Sequence, residues 1–174
     1  TRRSGGRTSA RTHRRRRVFM KRKAYRITQR QHAAASFNGE GARLHGGRWN
    51  SIGTRMVYTA DSISLALLEI LVHLEDFARV NARYTIVPIE FDESLLETLN
   101  ANALPPGWNA PQPSAITQTL GDRWIARMTS PILEVPSVIV EMERNYLLNP
   151  AHPDFAKIAI GNGFTFQTDA RLFK

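Results

Sequence analysis

A single carboxylate, Glu69, interrupts the apolar run Leu67-Leu68-Glu69-Ile70-Leu71. A charged group there meets little water and is retained chiefly where it is paired or used. Arg48 follows the pair Gly46-Gly47 and precedes Trp49, so its guanidinium could grip a diphosphate bidentately while exposed backbone closes around it. Tyr58 offers a ring to stack on a flat group or a hydroxyl for a sugar. Ser137, behind Pro136 in the apolar stretch LEVPSVIV, carries a hydroxyl that needs a partner. Arg26 in AYRIT could point into the same site. Each has a plainer alternative: a helix-surface glutamate, a turn arginine bonded to carbonyls, a core tyrosine, a structural serine and a solvated strand arginine.

Arg48 lies within a glycine-rich stretch and Tyr58 and Glu69 follow it, while Arg26 before it and Ser137 well after it must fold back to join them. Five glycines lie between Gly39 and Gly53, of 11 in the chain, where the backbone needs positive φ or close approach to a ligand. Their spacing fits neither the GxGxxG dinucleotide fingerprint nor a P-loop. The histidines at 13, 32, 45, 73 and 152 show no metal-ligand spacing and the chain has no cysteine, so no metal and no thiol nucleophile are expected.

Periodicity supplies the elements that must position these groups. AYRIT at 24–28 alternates as a strand, with Tyr25 and Ile27 on one face and Arg26 on the other. Residues 29–35 suit a helical turn, Arg43-Leu44-His45 reads as a strand entering a Gly46-Gly47 turn, and 55–59 reads as a strand. Asp61 or Ser62 can cap a helix over 62–77 whose core stripe is Ile63, Ala66, Leu67, Ile70, Leu74 and Phe77, with Glu69 beside it. Residues 84–91 form a strand with Pro88 marking an edge or bulge. The proline-rich stretch 100–114 is a loop of the length used for lids and binding elements. A helix over 117–128, a strand over 133–140 and strand material over 158–166 complete an α+β pattern in one domain.

The net charge of +9 is concentrated at one end. Residues 1–23 hold 11 basic residues and no acid, leaving 13 basic against 15 acidic residues in the rest, a body near −2. Residues 1–19, with eight arginines and almost nothing apolar, are expected to be disordered and to lie outside the fold, as non-native or upstream sequence ahead of a start at Met20, a reading favoured over an Arg- and Ser-rich targeting peptide. A nucleic-acid-binding module acting through this tail is the reading from a different class. The absence of cysteine suits a reducing cytosol, hence a cytoplasmic protein. No apolar run approaches the roughly 18 residues of a membrane span.

The strings GEGARLHGGRWNSIG, VYTADSISLALLEILVHL, VPS at 135–137, NYLLNPAHPDF and a terminal DARLF together resemble the RES-domain toxins of bacterial toxin-antitoxin systems. The resemblance runs from about Ala24 to Phe173, so residues 20–174 are read as a RES domain. The family's eponymous arginine, glutamate and serine match Arg48, Glu69 and Ser137, and Arg26 and Tyr58 fall at positions the family uses.

The resemblance implies an ADP-ribosyltransferase-like fold, a split β core with surrounding helices around an NAD⁺ cleft. It implies cleavage of the nicotinamide-ribose bond of NAD⁺, with phosphate or water as acceptor, or transfer of ADP-ribose to a cellular protein. It also implies a cognate antitoxin with an Xre-type DNA-binding domain that blocks the cleft, so that nucleic acid is met only indirectly. In that chemistry Glu69 stabilises the developing oxocarbenium ion. Arg48 and Arg26 hold the diphosphate, and phosphate where it is co-substrate. Tyr58 packs on nicotinamide or its ribose, and Ser137 positions ribose or amide.

Overall fold

A computed structural model describes residues 20–73, 80–169 and 171. The basic tail and residues 74–77 of the expected helix lie outside the described residues.

The first strand, β1 (Lys21–Gln29), pairs antiparallel with β3 (Tyr84–Asp92) along its whole length, from Lys21 opposite Asp92 to Gln29 opposite Tyr84. A second group joins β2 (Val57–Ala60), β6 (Arg144–Leu148) and β5 (Ile132–Pro136), with β4 (Leu96–Thr98) running parallel to β5. The short β7 (Ala159–Ile160) lies on the far side of β3. Among the described residues the sheet order is β4-β5-β6-β2-β1-β3-β7. Its two halves meet through one residue pair, Tyr25 opposite Ala60. The curled, mixed sheet with few helices is the α+β split core expected. Pro88 sits where its missing N–H costs no β1 bond: its carbonyl accepts from Gly161, so its nitrogen also faces the two-residue β7 side.

Strand alternation sorts the apolar side chains onto two faces. Val57, Ile132, Tyr146 and Leu148 pack with Ile89 and Phe91 on one. Met56, Leu133, Val135 and Leu147 pack with Trp49 and Trp124 on the other. Trp124 comes from α4 (Ala115–Arg127), which Ser114 caps by accepting from the Thr117 N–H at 3.3 Å. That helix can approach the loop carrying Trp49 because of Gly121, where a Cβ would lie 1.7 Å from the Trp49 carbonyl oxygen.

Three local expectations are corrected. Residues 43–45 are not a strand but the end of α1 (Glu40–His45). Asn38 Oδ1 accepts the Glu40 N–H at 2.9 Å, Glu40 pairs with Arg43 one turn on at 3.0 Å, and Gly46 at φ 70° closes the helix. The helix carrying Glu69, α2 (Ile63–Leu71), is capped by Ser62 as read and ends sooner. Its buried residues are Leu65 and Ala66, while Ile63 is exposed, so Glu69, one turn beyond Leu65, lies at the edge of the core face. Finally, β5 stops at Pro136 and Ser137 begins a turn: its Oγ accepts from the Ile139 and Val140 N–H groups at 3.1 and 3.2 Å. The turn leads into β6, a strand the sequence reading did not assign. The single turn α3 (Val80–Arg83) precedes β3.

Candidate active site

Glu69 is held from the sheet. Ser137 Oγ donates to Glu69 Oε1 at 2.9 Å, and Asn145 Nδ2 donates to the same oxygen at 2.5 Å. Ser137 directly follows β5 and Asn145 lies on its hairpin partner β6, where it faces Val135 across one ladder and Ala60 across the other. Glu69 Oε2 has no protein partner among the described residues and is not sealed from solvent. One oxygen is therefore anchored and the other is available to a ligand.

Arg48 lies within electrostatic reach of Glu69. Its Nη1 donates to the Trp108 carbonyl at 3.0 Å and its Nη2 to the Pro111 carbonyl at 3.1 Å. Burial lowers its pKa, while the electrostatic influence of Glu69 and Tyr58 raises it. The plainer reading, an arginine bonded to carbonyls, is thus partly realised, though the carbonyls belong to a distant loop. That loop is the proline-rich stretch, and it is fastened at two points, to the glycine-rich loop and to the turn after β5. Trp108 lies against Trp49 with ring centroids 6.3 Å apart, and Asn109 Nδ2 donates to Glu141 Oε1 at 2.6 Å.

Tyr58 organises the glycine-rich loop. Its hydroxyl donates to Asn50 Oδ1 at 2.7 Å and accepts from the Trp49 N–H at 3.0 Å, and burial raises its pKa strongly. Gly47 is needed there because a Cβ would come within 2.5 Å of that hydroxyl. Asn50, fully buried, donates to the carbonyls of Ala42, Ser51 and Thr54, which ties α1 to the turn after it. The loop is thereby fixed by its own polar groups on either side of Arg48.

Arg26 lies where the two halves of the sheet part. Its Nη1 donates to the Tyr58 carbonyl at 2.8 Å, bridging β1 and β2 just beyond their single ladder pair. Its Nε is buried without a partner among the described residues, and burial lowers its pKa to about 10. A guanidinium in such surroundings without a carboxylate is short of counter-charge.

Of the five residues singled out by sequence, Glu69 and Ser137 touch, Arg48 lies within electrostatic reach of Glu69 and Tyr58, and Arg26 joins through the Tyr58 backbone. Sequence reasoning missed Asn145, Asn50 and Trp108. A signal for Asn145 exists in RNYLL, where Asn145 and Leu147 share one face: a polar residue in step with a core leucine on a strand calls for a partner. Asn50 and Trp108 stand in turn-rich stretches whose pattern carries no such signal.

Comparison with known proteins gives a consistent result. A family model described as RES domain matches residues 23–169. A protein of Photorhabdus laumondii named "Toxin Res" is 40% identical over 151 residues, 86% of this chain and 96% of that protein. A protein of a Sphingobium species named "Prs ADP-ribosylating toxin" is 41% identical over 128 residues, 72% of this chain and 79% of its own length. Among solved structures, the Mycobacterium tuberculosis MbcT-MbcA toxin-antitoxin complex contains a chain with the same fold, at a TM-score of 0.68 and 18% identity, covering 86% of both chains.

Proposed function

This chain belongs to the RES domain family, and we propose that it is the toxin of a toxin-antitoxin pair, arresting growth in the cytoplasm by cleaving the nicotinamide-ribose bond of NAD⁺. The observation that carries this reading is Glu69, with Oε1 held by two donors and Oε2 without a partner among the described residues, within electrostatic reach of an Arg48 guanidinium that pairs with no carboxylate among them.

In the reaction the C1′–N bond breaks heterolytically and its electron pair leaves on the nicotinamide nitrogen. That nitrogen is cationic in NAD⁺ and becomes neutral, so no general acid is required. Positive charge grows on C1′ and the ring oxygen of the ribose. Glu69 Oε2 stabilises that charge or accepts from the 2′-hydroxyl, an interaction stronger in the transition state than in the ground state. The acceptor oxygen then bonds to that same anomeric carbon, numbered C1″ in the product, and the acceptor's proton passes to solvent: water yields ADP-ribose, and inorganic phosphate yields ADP-ribose 1″-phosphate. Arg48 and Arg26 supply the positive groups for the diphosphate, and for phosphate where it is the acceptor. The Tyr58 hydroxyl is already engaged with Asn50 and Trp49, so its role in binding falls to the ring and to keeping the loop in place. Ser137 acts through Glu69 Oε1.

The name of the Sphingobium relative favours a second reading, transfer of ADP-ribose to a protein acceptor through the same cleavage step. For the partner, the solved neighbour was crystallised as a toxin-antitoxin complex, which supports an antitoxin for this chain; an Xre-type DNA-binding domain on it follows from the family resemblance.

The test is incubation of the antitoxin-free protein with NAD⁺, with and without phosphate, and mass analysis of the products. Nicotinamide release is expected, with the acceptor identified by the mass of the ADP-ribose product. A folded protein that leaves NAD⁺ intact under both conditions and labels no protein in a lysate overturns the reading.

A further inference from the structure

We propose that Asn145 is a positioning residue for the bond-breaking step: its amide N–H fixes Glu69 Oε1 so that Oε2 is presented to the ribose of bound NAD⁺. The inference rests on the NAD⁺-cleaving reading and deepens it by assigning the group that orients the carboxylate.

Asn145 occupies the sheet interior, opposite Ala60 and Val135, which are 2% and 0% exposed. An apolar side chain would pack there without needing a polar partner. The amide end facing the carboxylate is its nitrogen, because an ionised carboxylate only accepts. That choice turns Oδ1 the other way, where it is buried with no partner among the described residues. An orphaned buried acceptor, here on a half-buried side chain, is unfavourable and calls for an explanation. The one available is that the other end of the same amide holds Glu69.

The need for a second donor follows from the first. Ser137 Oγ accepts from two backbone N–H groups, of Ile139 and Val140, so its single proton is directed at Glu69 Oε1. One hydrogen bond fixes the position of that oxygen but leaves the carboxylate free to rotate about it. A second donor, from a different strand of the β5–β6 hairpin, removes the rotation and thereby fixes where Oε2 points. Glu69 needs this support from the sheet because it stands only two residues from the end of α2, where helix hydrogen bonding runs out.

The experiment compares steady-state nicotinamide release by the wild type, Asn145→Ala and Asn145→Asp, with thermal midpoints measured on the same samples. Asn145→Ala is expected to lower kcat about 10- to 100-fold, a share of the loss typical for removing one preorganised donor. Its KM for NAD⁺ should stay within about threefold, since Asn145 does not touch the substrate. Asn145→Asp keeps the shape but sets a second carboxylate against Glu69, and is expected to lose more in kcat than Asn145→Ala. A merely structural role would instead lower the midpoint and the folded fraction with kcat per folded molecule unchanged. A folded variant of either kind with kcat within twofold of wild type overturns the assignment of Asn145 alone. A wild type that releases no nicotinamide overturns the parent reading and this one with it.

Discussion

In the candidate site the acidic group is held by side chains, whereas the basic groups, which form its basic wall in the proposed reading, are held by backbone. Glu69 receives two directed hydrogen bonds from Ser137 and Asn145 onto one oxygen. Arg48 and Arg26 donate only to carbonyls, of Trp108, Pro111 and Tyr58, and among the described residues neither pairs with a carboxylate. Burial lowers the pKa of both. The carboxylate is therefore held in one orientation, while among the described residues the two guanidiniums have no acidic partner. That asymmetry suits a ligand with a negative diphosphate at one end and a developing positive charge at the other.

The sharpest way to break this comparison is Glu69→Gln. The amide keeps an oxygen for Ser137 and Asn145 but removes the charge, so nicotinamide release is expected to fall on the order of a thousandfold with the fold intact. A folded Glu69→Gln protein of full activity or full toxicity in cells would remove the carboxylate from the mechanism.

Next in size is Arg48→Ala on the basic wall. It is expected to cost about 10- to 100-fold in kcat/KM, the equivalent of one or two hydrogen bonds to a charged group. The loss should be carried mainly in KM if Arg48 binds diphosphate equally in ground and transition states, and titration with ADP-ribose checks that assignment directly.

Tyr58→Phe separates the ring from the hydroxyl. It leaves Asn50 Oδ1 and the Trp49 N–H without their partner, so the folded state should lose about 1–3 kcal/mol, read as a lower denaturant midpoint. Activity measured well below that midpoint should fall less than in Arg48→Ala, because the ring remains.

The smallest effect has the opposite sign. Arg26→Met removes a buried cation that lacks an acidic partner, and the ligand-free protein is expected to gain about 1 kcal/mol, while affinity for ADP-ribose falls. A loss of stability in that variant would show that the basic wall is already compensated and would erase the contrast between the two sides.

Much of this was legible along the chain because it depends on near neighbours. Alternation in YTIVPIEF and AYRIT marks β3 and β1, Ser62 marks the start of α2, and Gly46-Gly47 marks a turn that must admit another group closely. Where reading failed, two local patterns competed. The segment 43–45 is short enough to read as a strand, and the Glu40–Arg43 pair with Gly46 tips it to helix. In α2 the apolar residues surround nearly the whole helix, so periodicity placed Ile63 in the core, where packing on β1 and β2 selects Leu65 instead.

By itself the sequence determined which chemical groups are present: one carboxylate in an apolar helix, arginines beside glycines, a hydroxyl behind a proline, and the strings that carry the family likeness. Tertiary structure alone decided how they meet. Glu69 lies 68 residues from Ser137 and 76 from Asn145, and Arg48 is 60 residues or more from the carbonyls that hold it. Contacts at such separations are set by strand order and register, because a shift of one residue in β6 would turn Asn145 to the opposite face of the sheet and leave Glu69 with a single donor.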